Sequence, residues 1–348
     1  MVEKVRRYDI DWLRTMALGL LVIFHSILSF QTWATQIGFP QNNTTLDSIK
    51  PFIELISIWR IPILFIISGM GVCFAIQCRT WKQLLIDRAV RILIPYLFSM
   101  LVLWPLVTLI SSRLGWAAEY SINFGHLWFL LNIFLYVLWL IGLLIYLKDN
   151  PNNALFMFLE KVLKYRFGIF LFALPIMLES GLVNPQYFSG YVDSLHGWLI
   201  GIICFFIGFI FISLKDVFWP AVERNRWFAL VLAFSFYLVQ ILNFESAGAM
   251  NWLTGLESTC WMLAIFGFSS LHLNRQSKGL AYLNKAILPV YIVHLPIQFL
   301  VAYFLLPIDL SAYVKLVILI SCTFGISFLL YEFVLKRVKL IRVLFGIA

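Results

Sequence analysis

The feature that most constrains this chain is its succession of apolar blocks, each of bilayer-crossing length and separated by polar or basic turns. A spanning helix needs about 20 apolar residues, because lipid offers no partner for a backbone N–H or C=O and both must be satisfied within the helix. Ten such blocks occur, at 12–32, 53–77, 92–112, 126–147, 167–183, 195–214, 227–244, 252–271, 286–305 and 316–335. The block at 167–183 is the weakest, being short and carrying Pro175 and Glu179. The connections at 33–52 and 148–166 leave no room for a soluble domain. The expected fold is therefore all-α: one polytopic membrane domain over 1–348.

The basic residues give this fold an orientation. The N-terminus carries Lys4, Arg6 and Arg7. Alternate turns carry groups such as Arg79, Lys82, Arg88 and Arg91, and the tail carries Lys336, Arg337, Lys339 and Arg342. Together these positions hold most of the 26 Lys and Arg residues. The opposite turns hold only Lys50, Arg113 and Lys315. The asymmetry places both termini in the cytoplasm. It also assigns the net charge of +9 to topology and anionic lipid rather than to nucleic acid. Asp9, Asp11 and Arg14 interrupt the first block, which is long enough to span, so it reads as a retained helix and not a cleaved signal. The five cysteines lack metal-ligand spacing and read as packing residues, so no metal is expected. Asn42 and Asn43 form sequons in an outer loop.

Ionisable residues inside such blocks are costly and are functional candidates by default. Arg14 and His25 lie in the first block, eleven positions apart. Eleven steps of about 100° bring both side chains to one helical face, on the order of 16 Å apart along the axis. Asp11, three residues before Arg14, shares that face and is placed to pair with it. His294 enters its block from the same side as His25 and reaches a similar depth. A neutral imidazole accepts a proton near physiological pH, as a general base for a hydroxyl must. His126 opens the fourth block, where an aromatic-belt anchor is the simpler reading. Arg88 and Arg91, three apart, offer either a positive-inside anchor or a fork for phosphates. Arg60 with Glu54, Glu179 and Glu257 fall in outer halves of blocks and suggest an ion-paired vestibule. A ligand with phosphates at the cytoplasmic surface and a thin arm reaching the membrane centre fits these stations, and acyl-coenzyme A has that shape.

The same residues resemble integral-membrane acyltransferase family 3. Asp11-Trp12-Leu13-Arg14, ten residues and His25 are similar to its Arg-x10-His pattern. Pro62 to Gly69, which includes Ser68, resembles its second-helix segment, and Arg88-Ala89-Val90-Arg91 followed by Pro95-Tyr96 its Arg-x-x-Arg element. His126-Leu127-Trp128-Phe129-Leu130 and Tyr291-Ile292-Val293-His294 resemble two further signatures. The ordered set, running from about residue 8 to 335, is the informative part. One departure stands out: Asn132 and Ile133 occupy the place where many members carry a glutamate.

The resemblance implies transfer of an acyl group, acetyl or succinyl in class, from acyl-coenzyme A to a hydroxyl on a glycan or lipid-linked glycan. Such a protein would sit among membrane lipids in a bacterial inner membrane, with the donor as co-substrate and no bound cofactor. His25 and Asp11 are the catalytic candidates, and Arg14, Arg88 and Arg91 the donor-binding ones. Arg60, Ser68, His126, Trp128, Glu257, Tyr291 and His294 are grouped as acceptor-binding or supporting. The rival reading is a proton-coupled transporter or polysaccharide exporter, since buried His and Arg on interrupted helices suit proton relays as well.

Overall fold

The computed structural model describes residues 6–113, 125–242 and 250–347, and every regular element among them is helical. In order these are α1 (Tyr8–Leu28), α2 (Lys50–Ile76), α3 (Trp81–Arg113), α4 (Trp128–Asp149), α5 (Ala154–Lys164) and α6 (Gly168–Val183). There follow α7 (Leu195–Ser213), α8 (Lys215–Leu242), α9 (Asn251–His272), α10 (Lys278–Leu305) and α11 (Ala312–Leu335). A short turn, α12 (Lys339–Arg342), runs into a 3-10 turn at Val343–Phe345. Among the described residues, eight helices are long and apolar enough to cross a membrane: α1 to α4, α7, α8, α10 and α11. The chain is an all-α polytopic membrane protein.

Two of the ten expected spans differ from that pattern. The block at 167–183 forms a shorter apolar helix than the others, because Gly168–Phe172 winds as a 3-10 turn and only Ala173–Val183 is α-helical. α9 has the length of a span, but Thr254, Glu257, Ser258, Thr259, Ser269 and Ser270 dilute its apolar character. All six are buried in protein. The 148–166 connection contains α5, whose Phe156, Leu159 and Leu163 are buried while Lys161 and Lys164 close its last turn. Asn153 caps it by accepting from the Phe156 N–H. Lys4 and positions 243–244, at the end of the seventh block, lie outside the described residues.

α3 starts well before the expected 92 and contains two π-helical turns, Ala89–Leu93 and Ser99–Leu103. Each stands just before a proline, Pro95 or Pro105. A proline removes the N–H that an α-helix would use, and a π register is one local adjustment to that loss.

The described residues within 1–17, 54–85 and 135–277 form one compact unit, and those within 18–53, 86–134 and 278–348 form a second. In the first unit α2 and α7 approach backbone to backbone. A Cβ on Gly69 would lie 1.8 Å from the Phe205 carbonyl oxygen, and one on Gly208 1.9 Å from that of Ile66. Small residues permit such close crossings in membranes. Pro62 leaves the Ile58 carbonyl without its helical partner, and the hydroxyls of Ser258 (2.8 Å) and Tyr191 (3.0 Å) donate to it. Burial pushes the Tyr191 phenol well above its ordinary range, so it acts as a neutral donor. Arg6 and Arg7 are more than topology charges: Arg7 clasps fully buried Asp9, stacks 3.5 Å over the Trp219 ring and donates to Ser270 Oγ.

In the second unit, Ile27, Phe30, Leu46, Ala302, Leu305 and Leu319 belong to one apolar cluster. Buried beside it, Lys315 donates from Nζ to the Leu306 carbonyl (2.7 Å) and to Asn42 Oδ1 (3.1 Å). The Asn42 amide nitrogen donates in turn to Thr44 O. Asn42 is therefore an internal side chain, and its sequon is not an accessible glycan site.

Candidate functional site

The second unit gathers all three candidate histidines. His25 comes from α1, His294 from α10, and His126 from the turn Gly125–Leu127 that leads into α4. His294 is completely buried, and its Nδ1 faces the Tyr291 carbonyl one turn earlier. A carbonyl can only accept, so Nδ1 carries the ring proton and Nε2 the lone pair. His25 Nδ1 lies 2.8 Å from that Nε2, with the ring planes 11° apart. In this neutral pair His25 Nδ1 must be the donor, which leaves the His25 lone pair on Nε2. The direction of the whole chain is thus set by one backbone oxygen.

Pro296 organises the third histidine. Having no N–H, it leaves the carbonyl of Ile292, four residues earlier, without a helical partner. His126 Nε2 donates to that oxygen (3.2 Å), and the Tyr291 hydroxyl donates to the His126 carbonyl (2.7 Å). His126 lies edge-on to His294 at 5.4 Å and 6.5 Å from the Trp104 ring. Gln298, one turn beyond His294, donates to the His25 carbonyl (2.8 Å). Phe39 packs between His25 and Phe299, in a cluster that includes Trp104. The Trp104 indole N–H and Gln298 Oε1 are buried and meet no partner among the described residues.

This cluster can take a proton at His25 Nε2 and spread the positive charge through a hydrogen bond to His294. In many acyl-transfer sites a carboxylate orients the base. The group hydrogen-bonded to His25 Nδ1 is instead the neutral imidazole of His294. Among the described residues, no group of three His, Cys, Asp or Glu side chains is arranged to hold a metal ion.

Arg88 and Arg91 lie at the first π turn of α3, also in the second unit. Asp87 holds Arg91 Nε at 2.9 Å, and the Arg91 side chain is about half exposed. Trp128 packs edge-on against Phe129. The remaining candidates belong to the first unit. Arg14 Nη1 is 4.0 Å from Asp11 Oδ1, while Asp11 Oδ2 accepts from Arg6 at 2.7 Å. Gly71 faces Arg14 Nη2, which lies 3.6 Å from where a Cβ would stand. Ser68 donates to the Leu64 carbonyl, and Arg60 is buried. Glu257 is buried and accepts from Gln240 (2.6 Å) and Trp261 (3.1 Å).

Sequence reasoning gave no role to His196. It is buried with Nδ1 2.9 Å from Glu179 Oε1 and Nε2 donating to the Phe188 carbonyl. Glu179 is therefore an interior partner rather than part of an open vestibule. A lone acid in an apolar block was the available signal.

Comparison with known proteins decides the class. The family model described as Acyltransferase domain matches residues 7–332. The chain belongs to this acyltransferase family. The acyltransferase is 26% identical to Glucans biosynthesis protein C of Escherichia coli O1:K1 / APEC, over 99% of this chain and 95% of the relative. The same figures hold for the proteins of that name in strains S88 / ExPEC and UTI89 / UPEC. No solved structure matches the chain.

Proposed function

We propose that this acyltransferase moves an acyl group of the acetyl or succinyl class from cytoplasmic acyl-coenzyme A to a hydroxyl of a glycan, free or lipid-linked, in a bacterial inner membrane. The observation that carries this reading is the hydrogen-bonded order Tyr291 carbonyl, His294, His25, which leaves a basic lone pair on His25 Nε2. The glycan class of the acceptor is supported by the name of the relatives.

In this reading the acceptor hydroxyl gives its proton to His25 Nε2 as its oxygen attacks the thioester carbonyl carbon. The new C–O bond forms a tetrahedral oxyanion, and the Trp104 indole N–H donates to it. Collapse breaks the C–S bond, and the coenzyme A thiolate takes the proton back from His25. His294 and Gln298 hold the base in place, and hydrogen bonds of His126 with Ile292 and Tyr291 tie the turn before α4 to α10 beside it. Arg88 and Arg91 bind phosphates of the donor, for which paired guanidinium groups are suited. Arg14 keeps its donor-binding assignment from its helical stripe with His25, and Asp11 orients it. Acyl-coenzyme A is a co-substrate, and no bound cofactor takes part. Membrane lipids surround the site, and both termini are cytoplasmic.

The test is purified protein in lipid nanodiscs with acetyl- or succinyl-coenzyme A and a glucan oligosaccharide. Thiol release matched by acylated glucan in the mass spectrum supports the reading. Transmembrane glycan or proton flux with no thiol release would replace it with a transporter.

A further inference from the structure

The C-terminal tail is folded back rather than trailing. Gly346 takes a left-handed backbone (φ 68°), and the Ile347 N–H bonds the Arg342 carbonyl at 2.9 Å. This six-to-one bond around a left-handed glycine is a helix-terminating turn that fixes the residues it encloses. The turn is seated tightly on the second unit. A Cβ on Gly346 would lie 2.7 Å from Leu288 Cδ2 and 2.9 Å from the Arg91 carbonyl oxygen. Phe345 is buried, with its ring 5.3 Å edge-on from Phe98. The tail therefore touches the very stretch of α3 that carries the Arg-x-x-Arg element. It lies beyond residue 332, where the family match ends.

Two side chains that flank these contacts in sequence, one on the tail and one on α10, hold polar atoms that are buried and lack a partner among the described residues. One is Nε of Arg342, and the other is the amide of Asn284, nitrogen and oxygen both. Asn284 stands one turn before Leu288 on α10, the residue on which Gly346 is seated. A buried polar group left unmatched destabilises the folded state, so the arrangement favours a ligand with both negative charge and a donor–acceptor edge. Guanidinium groups bind phosphates in forked pairs. A carboxamide pairs with the N6/N7 edge of adenine. An adenosine nucleotide with several phosphates has both features.

We propose that Arg342, delivered by the folded tail, joins Arg88 and Arg91 as a third arginine for the nucleotide phosphates of the donor, with Asn284 reading the adenine edge. This deepens the reading of the donor as an acyl-coenzyme A and rests on it. The tail then serves as a part of the binding site, and donor affinity depends on the turn at Gly346.

The experiment measures binding of adenosine 3′,5′-bisphosphate and of coenzyme A to full-length protein in nanodiscs. Arg342→Gln is expected to weaken both by about 10- to 100-fold and to raise KM for acyl-coenzyme A far more than it lowers kcat. Gly346→Val, which removes no charge, should weaken both probes in the same direction by unseating the tail, and Arg342→Lys should restore part of the loss. Melting temperatures show that each variant is folded. If Arg342→Gln and Gly346→Val bind both probes like the wild type while Arg91→Gln loses them, the tail site is overturned and the donor assignment stands. If the wild type binds neither probe, the donor assignment fails and the tail site with it.

Discussion

The Nδ1 atom of His25 and the Nε2 atom of His294 are 2.8 Å apart, and the proton between them belongs to His25 because His294 has already committed its own to the Tyr291 carbonyl. In the proposed mechanism His294 is thus a positioning residue for the base. His294→Ala should lower kcat about 10²- to 10³-fold, the range of a displaced general base, with little change in KM. His294→Gln, which keeps an acceptor, should recover part of the rate. A pH–rate profile that keeps its shape in both variants would argue for a purely structural role.

The carbonyls released by Pro62 and Pro296 make a paired prediction. Restoring an N–H by Pro296→Ala lets Ile292 re-enter the helical ladder and takes the acceptor from His126. Pro62→Ala does the same to Ser258 and Tyr191 at Ile58. A buried donor left unmatched costs about 1–3 kcal/mol, so both variants should be less stable in thermal denaturation even though alanine is the better helix former. Only Pro296→Ala should also reduce transfer. An unchanged melting temperature in both would mean that the side-chain bonds to these carbonyls contribute nothing.

The glycines separate cleanly by their surroundings. Gly69→Ala and Gly208→Ala place a methyl group within 2 Å of a backbone oxygen, and yield of folded protein should collapse. At Gly19, Gly142 and Gly325 an added methyl would meet nothing within 4 Å beyond its own helix turn, so alanine there should be neutral or slightly stabilising. Expression with size-exclusion profiles distinguishes the two groups.

Asp193 holds a left-handed backbone (φ 51°), and partial burial raises its carboxyl above the ordinary range. A raised carboxyl is protonated more readily in the folded state, so its contribution to stability is full at low pH and is lost as pH rises through the folded-state value. Asp193→Asn removes that loss and suits the left-handed region. It should raise the melting temperature near pH 8, with the advantage shrinking toward pH 4. An advantage independent of pH would assign the effect to backbone conformation alone.

Much of this was legible in the residues. Spans such as α4 and α7 follow from long apolar runs, and the shared depth of His25 and His294 was visible, though not that their rings meet. The prolines were visible as interruptions, but which donors would claim the released carbonyls was not, since Ser258 and His126 reach them from segments distant in sequence. Periodicity is silent on tertiary contact of this kind. α6 is shorter as an α-helix than its apolar block for a local reason, its 3-10 start. The Arg7–Asp9 clasp and the His196–Glu179 pair were hidden because a charge count treats each residue singly. The tail turn at Gly346 had a signal, a lone glycine after a basic helical turn, that only tertiary packing made meaningful.

The mechanism stands on the His25 ring taking the acceptor's proton. The most direct measurement is the single-turnover rate of acyl transfer from acyl-coenzyme A to a glucan, for wild type and His25→Ala at matched donor occupancy. The expected result is a loss of at least about 10²-fold with coenzyme A binding and melting temperature retained. Transfer by His25→Ala at the wild-type rate would contradict it.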